Sequence, residues 1–197
     1  YQELYFKLLE KVKIKINSKR NYYAFNNDYA SIYQNFYNKY INESFCIFHF
    51  DERWDNYNKD ALTNSLKIIS NLSLKTKVIL TTGIMPFKFL YNLENLYCSL
   101  NYDYSNKVFS ITNKFKIGRV LILKNMPLDL LAYFINNSIK NISSHSGPIL
   151  NLSSAFDKDV IDIIIQSKFD ELGRWIPSDS KYKRYSFEDL NNNLDKF

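Results

Sequence analysis

The chain carries two histidines, His49 and His145, and each falls at or just beyond the end of an apolar run that reads as a β-strand. In an open parallel sheet, ligands bind in the crevice outside the carboxyl ends of the strands, so residues directly after each strand are the first candidates for chemistry. An imidazole there can exchange a proton near neutral pH, or place a hydrogen bond or positive charge beside an anion. His145 and His49 are therefore the candidate catalytic residues. Taken singly, each is equally compatible with a hydrogen-bonded structural role. His145 leads into Ser146-Gly147-Pro148, a junction of small residues between a strand and a helix. Unpaired amides and the helix dipole make such a junction a place for phosphate, and glycine lets a ligand approach the backbone closely. Gly83, after Thr81-Thr82, stands at a second strand end. Only four glycines occur in the chain, so two at strand-to-helix junctions is a concentrated use of the residue.

Two cations follow strands. Arg53, in Asp51-Glu52-Arg53-Trp54, has the forked geometry to pair with a diphosphate, with Trp54 as a pocket wall. Lys124 is the second candidate. The competing readings are a surface ion pair between Glu52 and Arg53 and an ordinary solvated lysine. Neither the phosphate-binding Walker loop nor a dinucleotide-type glycine fingerprint occurs, and no Gly-x-Ser-x-Gly elbow supports a serine hydrolase. His, Cys, Asp and Glu show no metal-ligand spacing, so no structural or catalytic metal and no cofactor is expected.

These residues are positioned by alternating elements. Residues 1–43 read as N-terminal helices and a linker: Leu4, Tyr5, Leu8, Leu9 and Val12 mark one helix, and Ile32, Phe36, Tyr37 and Tyr40 mark another that packs on the main domain. Residues 44–197 read as a Rossmann-like α/β domain, with short apolar runs alternating with amphipathic ones in the manner of βαβ units and a parallel sheet flanked by helices. Strands are expected at Phe45 to His49, Val78 to Thr82, Val108 to Ile111, Val120 to Leu123, Ile142 to Ser144 and Val160 to Ile165. Helices are expected through Leu62 to Leu72, over Phe87 to Leu100, from Pro127 to Ser138 and over Pro148 to Phe156. A polar tail closes with a short helix at Phe187 to Leu194.

Composition bounds the partners. A net charge of +6 suits any phosphorylated ligand, nucleic acid or anionic membrane. The Lys and Arg residues are scattered among acids apart from Lys11 to Arg20 and Lys181 to Arg184, which argues against a nucleic-acid arm and for solvated faces. Cys46 and Cys98, the latter in the expected 87–100 helix, read as buried free thiols of a reducing compartment. No apolar run reaches the ~20 residues that span a bilayer, so the expectation is a cytoplasmic protein, with peripheral contact at the inner membrane face still compatible. Tyr1 already lies inside a helical pattern, so an upstream portion is expected.

Together these features resemble the C-terminal domain of family 9 glycosyltransferases, the heptosyltransferase-like enzymes of bacterial surface polysaccharide assembly. The resemblance runs from Ser44 to Pro177 through Arg53-Trp54, Thr81-Thr82-Gly83, Lys124 to Leu128, Ser146-Gly147-Pro148 and Trp175-Ile176-Pro177. It implies the donor-binding half of a two-domain GT-B fold. The partners it implies are a nucleotide-diphosphate sugar, a glycan or lipid-linked acceptor, and a missing N-terminal acceptor domain that carries the catalytic base. Arg53, Trp54, Thr82, Gly83, Lys124, His145, Ser146, Gly147 and Pro148 would then surround the nucleotide sugar. His145 stands where the family has Asp, Leu150 where it has His, and Leu123 where it has Gly. These departures leave the donor sugar open and the GT-B class standing. Without the resemblance, the same residues fit a non-catalytic nucleotide- or phospho-ligand-binding module or an interaction domain.

Overall fold

The computed structural model describes residues 23–50, 61–83, 89–173 and 181–186. Its centre is an eight-stranded sheet in the order β4-β3-β5-β2-β1-β6-β7-β8. The strands are β1 (Phe45–Phe50), β2 (Lys77–Thr82), β3 (Cys98–Asp103), β4 (Val108–Ile111), β5 (Val120–Lys124), β6 (Lys140–Ser143), β7 (Asp159–Ile164) and β8 (Lys181–Ser186). All pair in parallel except β4, which runs antiparallel to β3 at one edge. The helices are α1 (Ala30–Phe36), continued by a wider turn over Tyr37–Ile41, then α2 (Ala61–Lys75), α3 (Phe89–Glu94), α4 (Leu128–Asn137), α5 (Gly147–Ala155) and α6 (Phe169–Gly173).

Because side chains alternate along a strand, the sheet feeds two separate cores. Cys46, Phe48, Val78, Leu80, Ile122, Ile161 and Ile163 pack with Ile68, Ile69 and Leu72 of α2 and Leu93 of α3. On the opposite face Phe45, Ile47, Ile79, Leu121, Leu123 and Val160 meet α1, α4 and α5. The strand order explains the division. From β1 the chain steps to β2 with its helix on one face; from β5 it returns across β1 to β6 and β7 with its helices on the other. Right-handed crossovers require this change of face when the direction of winding reverses. The reversal makes the gap between β1 and β6 the topological switch point.

Phe134 of α4 is fully buried and is the hub of the second core: its ring centroid lies 5.1 Å from Tyr33, 5.4 Å from Phe36, 6.2 Å from Phe45 and 6.5 Å from Phe109. The segment before α1 lies on the same face, where Phe25 stacks on Phe156 at 5.0 Å and the Tyr23 hydroxyl donates to Asp129.

Two expectations are corrected. The helix expected over 87–100 ends at Glu94; after a turn, Cys98, Leu100 and Tyr102 point to one face while Ser99, Asn101 and Asp103 point to the other, the period of a strand. Cys98 therefore lies in β3. The Lys181 to Arg184 cluster is not wholly solvated. It forms β8, with Lys181 and Lys183 exposed while Tyr182 and Arg184 turn inward. The expected helices at residues 1–16 and 187–194 lie outside the described residues. Among the described residues no helix is long and apolar enough to cross a membrane.

Both thiols are buried and free, and burial pushes the Cys46 thiol up to about 11, with Lys140 pulling weakly the other way. Since the thiolate is the reactive form, neither cysteine should react with a disulfide reagent at about pH 8 until the chain is unfolded, when both titrate. Phe134→Ala should lower unfolding free energy by about 3–5 kcal/mol in a urea titration, because it removes a ring on which four others pack.

Candidate functional site

The register of the parallel strands sets one row of side chains across the carboxyl half of the sheet. Thr81 is level with His49, Ser143 with Asp162, and Asp162 with Arg184, while Phe48 opposite Ile142 brings His49 beside Ser143. All five lie on the face that α4 and α5 cover. One pleat earlier, the same face of these strands carries Ile79, Ile47, Asn141, Val160 and Tyr182. The sheet thus changes from mostly apolar to wholly polar over these five strands just before its carboxyl edge. Thr81, His49, Ser143 and Asp162 are all buried there.

Burying polar groups is costly unless they are paired, and most of this row is paired. His49 Nδ1 lies 2.8 Å from Thr81 Oγ1. Asp162, fully buried, is the centre of the row. One of its oxygens accepts the backbone N–H of His145; the other is 2.6 Å from His145 Nδ1 and accepts the Tyr182 hydroxyl at 2.6 Å. Burial first, then the neighbouring carboxylate, pushes the Tyr182 phenol well above its usual range, so it stays a donor. Arg184 Nε donates to the Tyr182 oxygen at 3.0 Å and Nη1 to the Phe169 carbonyl at 2.7 Å, while its guanidinium lies over both rings.

This cluster explains the turn between β6 and α5. His145 has φ 55°, a left-handed conformation that costs an ordinary residue roughly 1–2 kcal/mol. The Asp162 carboxylate grips both its backbone amide and its ring, which offsets that cost and fixes the chain's entry into α5. Pro148 lies in the first turn of α5, where its missing N–H forfeits nothing. Ser146 is the N-cap, yet its side chain makes no capping hydrogen bond. Gly147 does not have positive φ, and a Cβ built on it would meet nothing within 4 Å. Its want of a side chain is therefore not a demand of the fold.

The remaining sequence candidates are divided among other places. Arg53 and Trp54 lie outside the described residues. Lys124, at the end of β5, forms a 2.5 Å ion pair with Glu94 of α3, which also accepts from the Ser99 hydroxyl at 3.0 Å. Both Glu94 and α3 belong to the face opposite His145. Thr82 and Gly83 border a separate cleft of about 550 Å3 over the end of β5. His49, on β1, and His145, in the turn just after the adjacent strand β6, share one edge of the sheet. Among the described residues no group of three His, Cys, Asp or Glu could hold a metal ion. Sequence reasoning missed Asp162, Tyr182 and Arg184. Asp162 had a signal: it is the one charge inside the apolar run Val160 to Ile165.

No family model matches this chain, and no curated protein matches it. Among solved structures it is similar to that of the glycosyl transferase family 9 protein from Veillonella parvula, with a TM-score of 0.63 at 11% identity. The match covers 98% of this chain and 51% of the other, so the chain spans about half the length of that structure. The shared feature is the fold: an α/β, Rossmann-like sheet flanked by helices.

If Asp162 clamps the turn, its loss should exceed the loss of the ring it holds. Asp162→Asn is expected to destabilise the domain by on the order of 3 kcal/mol, since it breaks a buried charge-assisted cluster. His145→Gly should cost about 1 kcal/mol, because the lost ring hydrogen bond is partly offset by relief of the left-handed strain. Urea denaturation of the two variants checks the order.

Proposed function

We propose that this domain binds a nucleotide-diphosphate sugar and is the donor-binding half of a metal-independent GT-B glycosyltransferase. The observation that carries the reading is the entry to α5. An amino-terminal helix turn opens at the carboxyl edge of the sheet, beside the switch point; its cap serine caps nothing, and its glycine faces open space. The first-turn amides and the helix dipole offer a phosphate the partial positive charge it needs, and the Asp162–His145 clamp holds them in place. In sugar transfer the negative charge grows on the departing diphosphate, so fixed donors at this point would lower the barrier by electrostatic stabilisation. The likeness to a family 9 glycosyl transferase fold supports the same assignment.

In this reading Ser146, Gly147 and His145 serve the diphosphate, with Arg53 and Trp54 as further donor contacts. The sugar passes to a glycan or lipid-linked acceptor held by a second domain, which activates it. The isolated chain should bind a nucleotide diphosphate and transfer no sugar; turnover by residues 1–197 alone would refute that division of labour.

The test is a thermal-shift panel of ADP, UDP, GDP and CDP, followed by calorimetry on the nucleotide that raises the melting temperature. Gly147→Val should weaken that affinity at least ~10-fold, equivalent to ~1.4 kcal/mol, with the fold retained, because the new side chain occupies the phosphate's approach and its Cβ meets no protein atom within 4 Å. Ser146→Ala should weaken it less, by about 0.5–1.5 kcal/mol. Failure of all four nucleotides to shift the domain, or an unchanged affinity in folded Gly147→Val, overturns the reading.

A further inference from the structure

The cleft over β5 differs chemically from the α5 turn. β5 stops at Lys124, and Asn125, at φ 56°, turns the chain away. Its neighbour β3 runs on: Asn101 is level with Lys124, so Tyr102 and Asp103 stand above the point where β5 ends. The chain then folds back through Tyr104 into β4. The result is a notch with β2 on one side and the β3–β4 hairpin on the other, enclosing about 550 Å3. Such a space suits roughly one or two sugar rings.

Among the described residues the lining is rich in groups that both give and take hydrogen bonds, and contains no cation. Thr82 and Ser110 supply hydroxyls, Asn101 and Asn125 supply amides, and Asp103 is the one charged residue among the lining side chains. Lys124, whose backbone lies beneath, has its ammonium held by Glu94 at 2.5 Å. In a chain of net charge +6, a pocket whose sole charge among the described residues is negative disfavours phosphate and favours a neutral ligand.

The polar groups are preorganised. Asn106 Nδ2 at 2.6 Å, with the backbone N–H groups of Asn106 at 3.3 Å and Ser105 at 2.8 Å, holds the Asp103 carboxyl below its ordinary range. It is thus an oriented, ionised acceptor with lone pairs to spare. Asn125 donates to Asn101 at 2.5 Å, which locks the two amides against each other and leaves the Asn125 carbonyl oxygen for a ligand donor. Tyr104, 60% exposed, is held edge-on against Tyr102 at 5.1 Å, an aromatic ring at the mouth of a polar notch.

The geometry points to a binding site for a neutral saccharide in this notch. A pyranose presents hydroxyls around its rim, each both donor and acceptor, and an apolar C–H face. Fixed amides, a carboxylate and hydroxyls match the rim, and the exposed tyrosine ring matches the face. This site lies beyond the nucleotide site proposed at α5, and it stands whether or not that turn takes a diphosphate.

The experiment is amide NMR of the isotopically labelled chain titrated with neutral mono- and disaccharides, namely the methyl glycosides of glucose, galactose and mannose, N-acetylglucosamine, lactose and maltose. Uridine, adenosine and inorganic pyrophosphate are titrated in parallel. At least one saccharide should give saturable shifts at Thr82, Asn101, Tyr104 and Asn125 with Kd on the order of 1–10 mM. Tyr104→Ala and Asp103→Asn, the latter able to keep the two backbone hydrogen bonds of the turn on its amide oxygen, should each weaken binding at least ~5-fold, with the rest of the spectrum unchanged. The proposal is overturned if no saccharide shifts these amides, if a nucleoside or pyrophosphate shifts them instead, or if both variants bind like the parent chain.

Discussion

A parallel sheet covered on both faces leaves its strands no side that meets water. Every polar group on it must find a partner inside the protein. Here that constraint converges on Asp162, a carboxylate with no exposure that accepts from the His145 amide, the His145 ring and the Tyr182 hydroxyl. Three donors are what make the charge tolerable. The same three tie β7 to the α5 entry turn and to the edge strand β8, so one buried carboxylate fixes the geometry of the sheet's right-hand end.

That interaction also reassigns the histidine. His145 attracts attention in the sequence as a titratable side chain at a strand end, yet in the fold its Nδ1 and its backbone amide both serve Asp162. Its left-handed conformation is the local strain that a buried carboxylate can hold in place. The outcome is a helix start whose amides face the carboxyl edge of the sheet, with no side-chain cap and no Cβ in the way. A role for His145 in positioning this turn follows from geometry before any role in proton transfer is invoked.

The carboxyl edge carries two chemically different environments because the sheet has two halves. Right of the switch point, β6 and β7 lead to a helix amino end, with its excess of N–H donors. Left of it, β5 is shorter than its neighbour β3, and the resulting notch is lined by oxygens and amides under a hairpin that extends the sheet. Lys124 could have linked the two by making the left half cationic. Its pairing with Glu94, part-buried on the far face, prevents this.

The locally encoded elements are legible in the sequence. The strands β1, β2, β5 and β7 are mainly apolar runs, broken near their carboxyl ends by His49, Thr81 and Asp162, because strands buried on both faces have no regular polar period to display. The helices α4 and α5 have prolines at their starts, Pro127 just before α4 and Pro148 in the first turn of α5, where proline suits a helix. Together they determine an alternating α/β chain with its functional candidates at strand ends. β3 and β8 escaped because their alternation of apolar and polar residues is short and reads equally as one side of a helix or as a charged tail. The strand order, the pairing of His145 with Asp162 across 17 residues and the capture of Lys124 by Glu94 across 30 were decided by tertiary structure alone. The physical reason is that local spacing fixes which way a side chain points along its own strand, whereas its partner depends on which strand lies beside it, and that is settled only when the whole sheet assembles.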